Sequence, residues 1–251
     1  MSEETLQDKI LKARQSAVSR AGNDWENFVE SFLKESFVQI RNTSQEESIK
    51  KVVEDIEVRR MGKREEIAQI KQEYPQLYKS LFIPIVNYAK NRQFIVENPE
   101  IISTIFETGN VIGDVDIVTF SRKHQIPIAI VSCKVSLHGR LTESLFYALY
   151  YRITNKIKFV LATPDKGKQA SKGVWETEWG TPQNPSKDRV LAMLFLDGVY
   201  VDNVPKFMPD GFDSRKESTA LGGIVRHLSE LPGDIIRWYE DIKFNITNEK
   251  L

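Results

Sequence analysis

Three charged side chains lie at the ends of two apolar segments that have the character of strands. The segment "GDVDIVTF" carries Asp114 and Asp116, and "IPIAIVSCK" ends in Ser132 and Lys134. Because side chains alternate between the two faces of a strand, the two aspartates share one face, and Ser132 and Lys134 share another. Two carboxylates on one face repel each other unless a cation lies near them. If the two strands are neighbours, the spacing predicts a site where carboxylates and a lysine meet at one edge of a sheet.

Carboxylates beside a lysine suit the hydrolysis of a phosphodiester. Carboxylate oxygens and waters are the ligands that Mg²⁺ prefers. A bound metal lowers the pKa of a water and neutralises charge that builds on a phosphate. Lys134 would then position the attacking water or help to deprotonate it. Taken singly, Asp114, Asp116 and Lys134 also fit turn and strand-end positions, so their joint occurrence is what favours a site.

Composition narrows the class of protein. The chain has 251 residues with 41% hydrophobic content, enough for one large domain with a real core. No segment approaches the ~18 consecutive apolar residues of a membrane span, and the N-terminus has no secretory pattern. The single cysteine, Cys133, excludes an internal disulfide and a cysteine-based zinc site. We therefore expect a cytoplasmic protein with no membrane partner. The net charge of zero leaves phosphate contacts to a local basic surface.

The first 80 residues predict helices. One helical pattern ends at Gly22, and the next places Trp25, Val29 and Leu33 on one helix face. The highly charged segment that follows, "NTSQEESIKKVVEDIEVRRMGKREEIAQIKQEY", has a helical pattern as well. We assign residues 1–80 to an N-terminal helical region.

Short β-branched segments dominate the rest of the chain, which we assign to a domain spanning residues 81–251. They are "DVDIVTF", "IPIAIVSCK", "IKFVLATP" and "VLAMLFLDGVYVDN", with the helical pattern "TESLFYALYYRIT" between the second and the third. This order predicts a mixed α/β fold, with a β-β-α-β core sheet flanked by helices. The tail "GIVRHLSELPGDIIRWYEDI" predicts two short helices divided at Pro232.

The segments "GDVDIV" and "IPIAIVSCK", followed by a helix, resemble the signature of PD-(D/E)xK nucleases. The likeness extends from residue 110 to about residue 165. Within that superfamily, "SCKVSLHGR" is similar to type II restriction endonucleases of the group that recognises sites centred on CCGG. The resemblance implies a restriction-endonuclease-like fold and Mg²⁺-dependent cleavage of double-stranded DNA at a palindrome. A palindrome demands two symmetry-related sites, so it also implies a homodimer, with further assembly on DNA left open.

The resemblance also assigns roles to residues. Asp116, directly before the hydrophobic run, takes the place of the metal-binding aspartate, and Asp114 could contribute. Ser132 stands where most of the superfamily has an acid. Members of the CCGG group have a small hydroxyl residue there and supply a glutamate from the following helix. Glu143 is the candidate in this chain for a catalytic or metal-binding acid, and its alternative role is to read bases or orient Arg140.

Glu26 is a third candidate for the catalytic acid, because the first helix of many such nucleases turns a glutamate toward the active site. Its alternative role is structural, since Asn23 and Glu26 have the spacing of a helix capping box.

DNA contacts are predicted for five side chains. Arg140 could bind guanine O6 and N7, worth about 1–3 kcal/mol of discrimination. Ser136 and His138 precede it on the segment that would meet DNA. Lys166 and Lys168 lie in the loop "TPDKGKQASKG", which either contacts phosphates or is an ordinary solvated loop.

Two other functions remain open at this point. A structure-directed nuclease of the same superfamily would cut without regard to base sequence. A catalytically inactive nuclease-like module would bind DNA or assemble with partners, and Ser132 in place of an acid is the feature in its favour.

Overall fold

The protein is built around one mixed β-sheet with helices on both faces. The computed structural model describes residues 6–81, 115–135, 141–155, 157–165, 177–202 and 221–248. Its strands are β1 (Ile56–Arg60), β2 (Ile117–Ser121), β3 (Ile126–Cys133), β4 (Lys158–Thr163), β5 (Gly198–Val201) and β6 (Val225–His227). Its helices are α1 (Leu6–Thr43), α2 (Glu47–Asp55), α3 (Arg64–Glu73), α4 (Leu141–Asn155), α5 (Lys187–Phe195) and α6 (Leu231–Asn248). Residues 75–81 are also helical, and a 3-10 turn spans Leu228–Glu230.

The six strands lie in the sheet in the order in which they occur along the chain. The first three are antiparallel, with β2 paired to β1 and to β3. From β3 to β6 all pairs are parallel. Parallel neighbours need a long crossover, and α4 supplies it between β3 and β4. The mixed sheet and its β2-β3-α4-β4 core confirm the predicted fold class.

Two buried apolar clusters lie on opposite faces of the sheet. On one face, Phe120 and Ile130 pack with Ala148 of α4. On the other face, Val131 packs with Leu33 of α1. Neighbouring residues of β3 thus serve different clusters, as the two-residue period of a strand requires. Helix α1 packs on one face of the sheet and α4 on the other. Side chains from both helices can therefore reach the same end of the strands.

The prediction of helix throughout the first 80 residues is wrong at Ile56–Arg60, which form β1. Its five residues pair with β2 along their whole length, from Ile56 opposite Ser121 to Arg60 opposite Ile117. The helix α1 also continues through Gly22, where the sequence predicted an end. The boundary near residue 80 stays a prediction, although β1 makes the first part of the chain contribute a strand to the sheet.

Two predictions in the C-terminal part are also wrong. The apolar run within "VLAMLFLDGVYVDN" divides into helix α5 and strand β5, because Ser186 caps a helix there by accepting a hydrogen bond from the Arg189 N–H at 3.2 Å. The tail contains strand β6 and one long helix, α6, in place of two short helices. Pro232 lies in the first turn of α6. A backbone N–H there has no partner within the helix, so a proline is tolerated at this position.

Asp55 forms hydrogen bonds that link three elements at the end of the sheet where strand β1 begins. Its carboxylate accepts hydrogen bonds from Ser121 Oγ at 2.5 Å, Tyr239 Oη at 2.7 Å and the Lys123 N–H at 2.7 Å. Partial burial alone would raise the pKa of Asp55, but these hydrogen bonds outweigh it and lower the pKa. The ionised form of Asp55 therefore stabilises the folded state.

Asp55→Asn should lower the free energy of unfolding at pH 7 by about 1–2 kcal/mol, because the amide accepts weaker hydrogen bonds than the carboxylate. A lowered folded-state pKa gives stability that is present above the unfolded value and is lost as pH falls through the folded value. The difference between wild type and variant should thus shrink below about pH 4. Urea unfolding at several pH values measures it, and a difference that persists into acid would contradict this role.

Candidate active site

The end of β1, the start of β2 and the end of β3 lie together at one end of the sheet. Asp55 lies at the opposite end. Because β2 is antiparallel to both neighbours, its first residues lie beside the last residues of β1 and β3. Arg60 ends β1 opposite Ile117, and Asp116 directly precedes β2. Lys134 follows β3, and its backbone N–H donates to the Ala162 carbonyl oxygen of β4 at 3.0 Å. Side chains from three consecutive strand ends can therefore converge here, beside the backbone of β4.

Asp116 and Lys134 are in contact at this edge. The carboxylate oxygen Asp116 Oδ2 accepts a hydrogen bond from the Cys133 N–H at 2.6 Å. The ammonium group of Lys134 lies 3.4 Å from the same oxygen, and Lys134 is only 7% exposed. The predicted meeting of an aspartate and a lysine is present in the structure, while their catalytic roles stay predictions.

Glu26 approaches the same pair from helix α1. The preceding residue, Trp25, fixes that part of α1 against the sheet, since its indole Nε1–H donates to the Ala162 carbonyl oxygen at 3.1 Å. Burial raises the pKa of Glu26, and the nearby Asp116 carboxylate raises it further, while Arg60 and Lys134 oppose the shift. The backbone confirms that the two residues lie in the same region, because Arg60 binds Glu26 at 2.6 Å and the next residue, Met61, donates its N–H to the Asp116 carbonyl oxygen at 2.9 Å. The capping role for Glu26 is wrong, because Asn23 lies inside the continuous helix α1.

Arg60 belongs to this cluster, and the sequence did not predict it. Its Nη2 donates to Glu26 Oε2 at 2.6 Å, and its Nη1 donates to the side-chain oxygen of Asn27. The residue is 9% exposed. If "IEVRR" is assigned as a strand, side-chain alternation places Arg59 and Arg60 on opposite faces and makes Arg60 a candidate site residue. The predicted helix over this segment gave no such indication.

Ser132 faces helix α4. Its hydroxyl lies 3.2 Å from the hydroxyl of Ser144, and both side chains are fully buried. Glu143, the acid predicted to replace the missing one, is exposed on the neighbouring position of α4. Besides burial, the charges of Asp116 and Lys134 act in opposite directions on the pKa of Glu26.

A second lysine–aspartate pair in the sheet shows which features are specific to the site. Asp197 accepts a hydrogen bond from the Phe159 N–H at 3.0 Å and pairs with Lys158 Nζ at 3.2 Å. That arrangement resembles Asp116 with Cys133 and Lys134, yet the Lys158 side chain is 39% exposed against 8% for Lys134. Burial and the approach of Glu26, and not the pair alone, therefore distinguish the candidate site.

The remaining predicted site residues lie outside the described residues. They are Asp114, Ser136, His138, Arg140, Lys166 and Lys168. Their placement relative to Asp116 and Lys134 is untested, and their roles stay predictions.

The donor set can be tested against the predicted cation. Within the described ranges, no group of three or more His, Cys, Asp and Glu side chains is arranged to hold a metal ion. Mg²⁺ in enzymes is commonly bound through one or two carboxylates, with waters and substrate phosphates completing its shell. Asp116 and Glu26, two mutually repelling carboxylates beside a buried lysine, fit that requirement.

Comparison with known proteins bears on the same part of the chain. Residues 97–218 match the family model described as BsaWI restriction endonuclease type 2. The match supports a restriction endonuclease. It covers slightly less than half of the chain and contains Asp116 and Lys134, whereas Glu26 and Arg60 lie before it. No curated protein matches the chain.

A restriction endonuclease cleaves DNA, so the match implies a DNA-binding protein. It agrees with the resemblance to type II restriction endonucleases carried by "GDVDIV" and "IPIAIVSCK", a resemblance that includes BsaWI. No helix in the part of the chain that the structure describes is long and apolar enough to cross a membrane.

Proposed function

We propose that the chain is a type II restriction endonuclease that hydrolyses both strands of DNA with Mg²⁺ at a short palindrome containing CCGG. The convergence of Asp116, Glu26 and the buried Lys134 at one sheet edge carries the proposal. The family match supports the endonuclease activity, and the resemblance of "SCKVSLHGR" to the CCGG group supports the site.

Asp116 and Glu26 would hold the cation. When bound there, Mg²⁺ would stabilise charge on the phosphate and supply a more acidic water. Asp116 is anchored for this role, because the Cys133 N–H holds one of its carboxylate oxygens. Asp114 and Glu143 remain additional proposed ligands, and the exposed position of Glu143 leaves it able to face DNA instead.

Lys134 would orient the attacking water as an ammonium group, and it would have to lose its own proton before it could accept one from that water. Its ammonium group is held among apolar strand ends near Asp116, so its charge acts in a region with little water to screen it. A group fixed in this way loses little freedom when the phosphate arrives.

Recognition of bases is assigned to the segment after β3. Arg140 would read guanine, with His138 and Ser136 beside it, while Lys166 and Lys168 would contact phosphates. Two copies of the chain would place one active site on each strand of the palindrome, so we propose a homodimer in the cytoplasm.

Digestion of a fully sequenced phage DNA with Mg²⁺, followed by sequencing of the fragment ends, tests the proposal. We expect discrete ends that share a palindrome containing CCGG. Ends at unrelated sequences would indicate a structure-directed nuclease. Uncut DNA that is nevertheless bound at defined sequences would indicate an inactive DNA-binding module.

A further inference from the structure

Arg60 makes the closest charged contacts to Glu26 among the side chains described around the site. Its two terminal nitrogens bind two consecutive residues of α1, with Nη2 on Glu26 Oε2 and Nη1 on the Asn27 side chain. The Nε atom lies 3.7 Å from Glu66 Oε1 of α3. A planar guanidinium held at several points has little freedom to turn, so it fixes the groups that it binds.

The backbone around Arg60 is also fixed to the site. Arg60 is opposite Ile117, and the next residue, Met61, donates its N–H to the carbonyl oxygen of Asp116 at 2.9 Å. The segment that carries Arg60 is therefore hydrogen-bonded to the backbone of Asp116. A shift of β1 would therefore change the position of the Glu26 carboxylate relative to the Asp116 carboxylate.

Glu26 needs such a holder because of where it lies. Glu26 and Asp116 repel each other, and a glutamate has side-chain freedom that would let it turn away from the site. Arg60 holds one oxygen of the Glu26 carboxylate, Oε2, by a hydrogen bond of 2.6 Å.

We propose that Arg60 is a positioning residue that holds the Glu26 carboxylate beside Asp116 in the orientation used for cleavage. This inference rests on the proposed function, because it assigns Arg60 a part in the same reaction. Arg60 itself does not touch the reacting phosphate; it acts through Glu26.

A double-mutant cycle tests the inference. In single-turnover cleavage of a DNA that carries the recognition site, Arg60→Met should lower the rate about 10- to 100-fold, the scale expected when a catalytic group is misplaced by about 1 Å. DNA affinity measured without divalent cations should change by less than about threefold, since Arg60 makes no contact with DNA in this account. In an E26Q background, the same change should have almost no further effect on the rate.

A structural role would give a different result, because loss of packing at Arg60 would lower the rate by a similar factor whether or not Glu26 is ionised. Equal effects in the wild-type and E26Q backgrounds would therefore overturn the inference. Arg59→Met is the matched control: Arg59 lies on the same strand as Arg60 but pairs with Glu57 of β1 and Glu73 of α3. Its cleavage rate should equal that of the wild type.

A second variant guards against misfolding. Arg60→Lys keeps one positive charge but cannot bridge Glu26 and Asn27, so it should recover only part of the lost rate. Melting of the metal-free protein gives a readout that is independent of cleavage, and Arg60→Met should lower the melting temperature less in the E26Q background than in the wild type. If wild-type protein cuts DNA but Glu26→Gln has no effect, the inference and the metal-binding role of Glu26 fail, while the proposed endonuclease activity stands. If wild-type protein does not cut DNA, both fail.

Discussion

Asp116→Asn should abolish measurable cleavage, with a loss on the order of 10³-fold or more in the single-turnover rate. The variant removes one of the two carboxylates proposed to hold the cation, and a bound cation contributes several kcal/mol of charge stabilisation to such reactions. The amide is nearly the same shape as the carboxylate, and its oxygen can still accept the hydrogen bond from the Cys133 N–H. Single-turnover cleavage of a DNA fragment with one recognition site measures the rate.

The fold should survive this change. In the wild type, Asp116 repels Glu26 and attracts Lys134, so its removal leaves Lys134 facing the remaining carboxylate of Glu26. We expect the melting temperature to stay within a few degrees of the wild type, which corresponds to about 1 kcal/mol for a protein of this size. A collapse of the fold would mean that lost activity says nothing about catalysis.

Asp197→Asn is the matched control, because Asp197 also accepts a strand N–H and pairs with a lysine. Its pair lies apart from Glu26 and is more exposed, so cleavage should be unchanged. If Asp116→Asn cuts DNA at the wild-type rate, the proposed metal site is wrong, whatever the family match implies.

The aspartate–lysine pair could be predicted from the sequence because it depends on two simple facts about strands. Side chains alternate with a period of two, and sequential strands joined by a short turn are neighbours in a sheet. Both facts hold for β2 and β3, so Asp116 and Lys134 meet as the spacing indicates.

Strand β1, and Arg60 with it, could not be found in the same way. The segment "IEVRR" follows helix α2 and precedes helix α3, and its charges continue a helical pattern. Only pairing with β2, which is distant in sequence, makes it a strand. Tertiary contacts override weak local preferences in such segments.

Helix α5 shows the opposite difficulty. A short apolar run such as "VLAMLF" fits a buried strand and a helix equally well by pattern alone. The cap at Ser186, formed through a hydrogen bond to the Arg189 N–H, decides between them. A cap signal was present in the sequence and was the more informative clue.

The second large effect is expected at Lys134. Lys134→Met keeps a long side chain in the buried space but removes the ammonium group that lies 3.4 Å from Asp116. We expect cleavage to fall by about 10²- to 10⁴-fold, the usual contribution of a positioned group that transfers a proton. DNA binding without divalent cations should be retained, because Lys134 is buried and paired within the protein. Gel-shift affinity and single-turnover cleavage separate the two properties.

Lys158→Met is the control for loss of a lysine from the sheet, since Lys158 of β4 pairs with Asp197, the residue before β5. Its cleavage rate should match that of the wild type. Lys134→Arg separates charge from proton transfer, because a guanidinium keeps its proton at neutral pH. If Lys134 takes a proton from water, the arginine variant should stay within about tenfold of the methionine variant. Recovery of nearly full activity by arginine would instead show that Lys134 acts through its charge alone, beside Asp116 and Glu26.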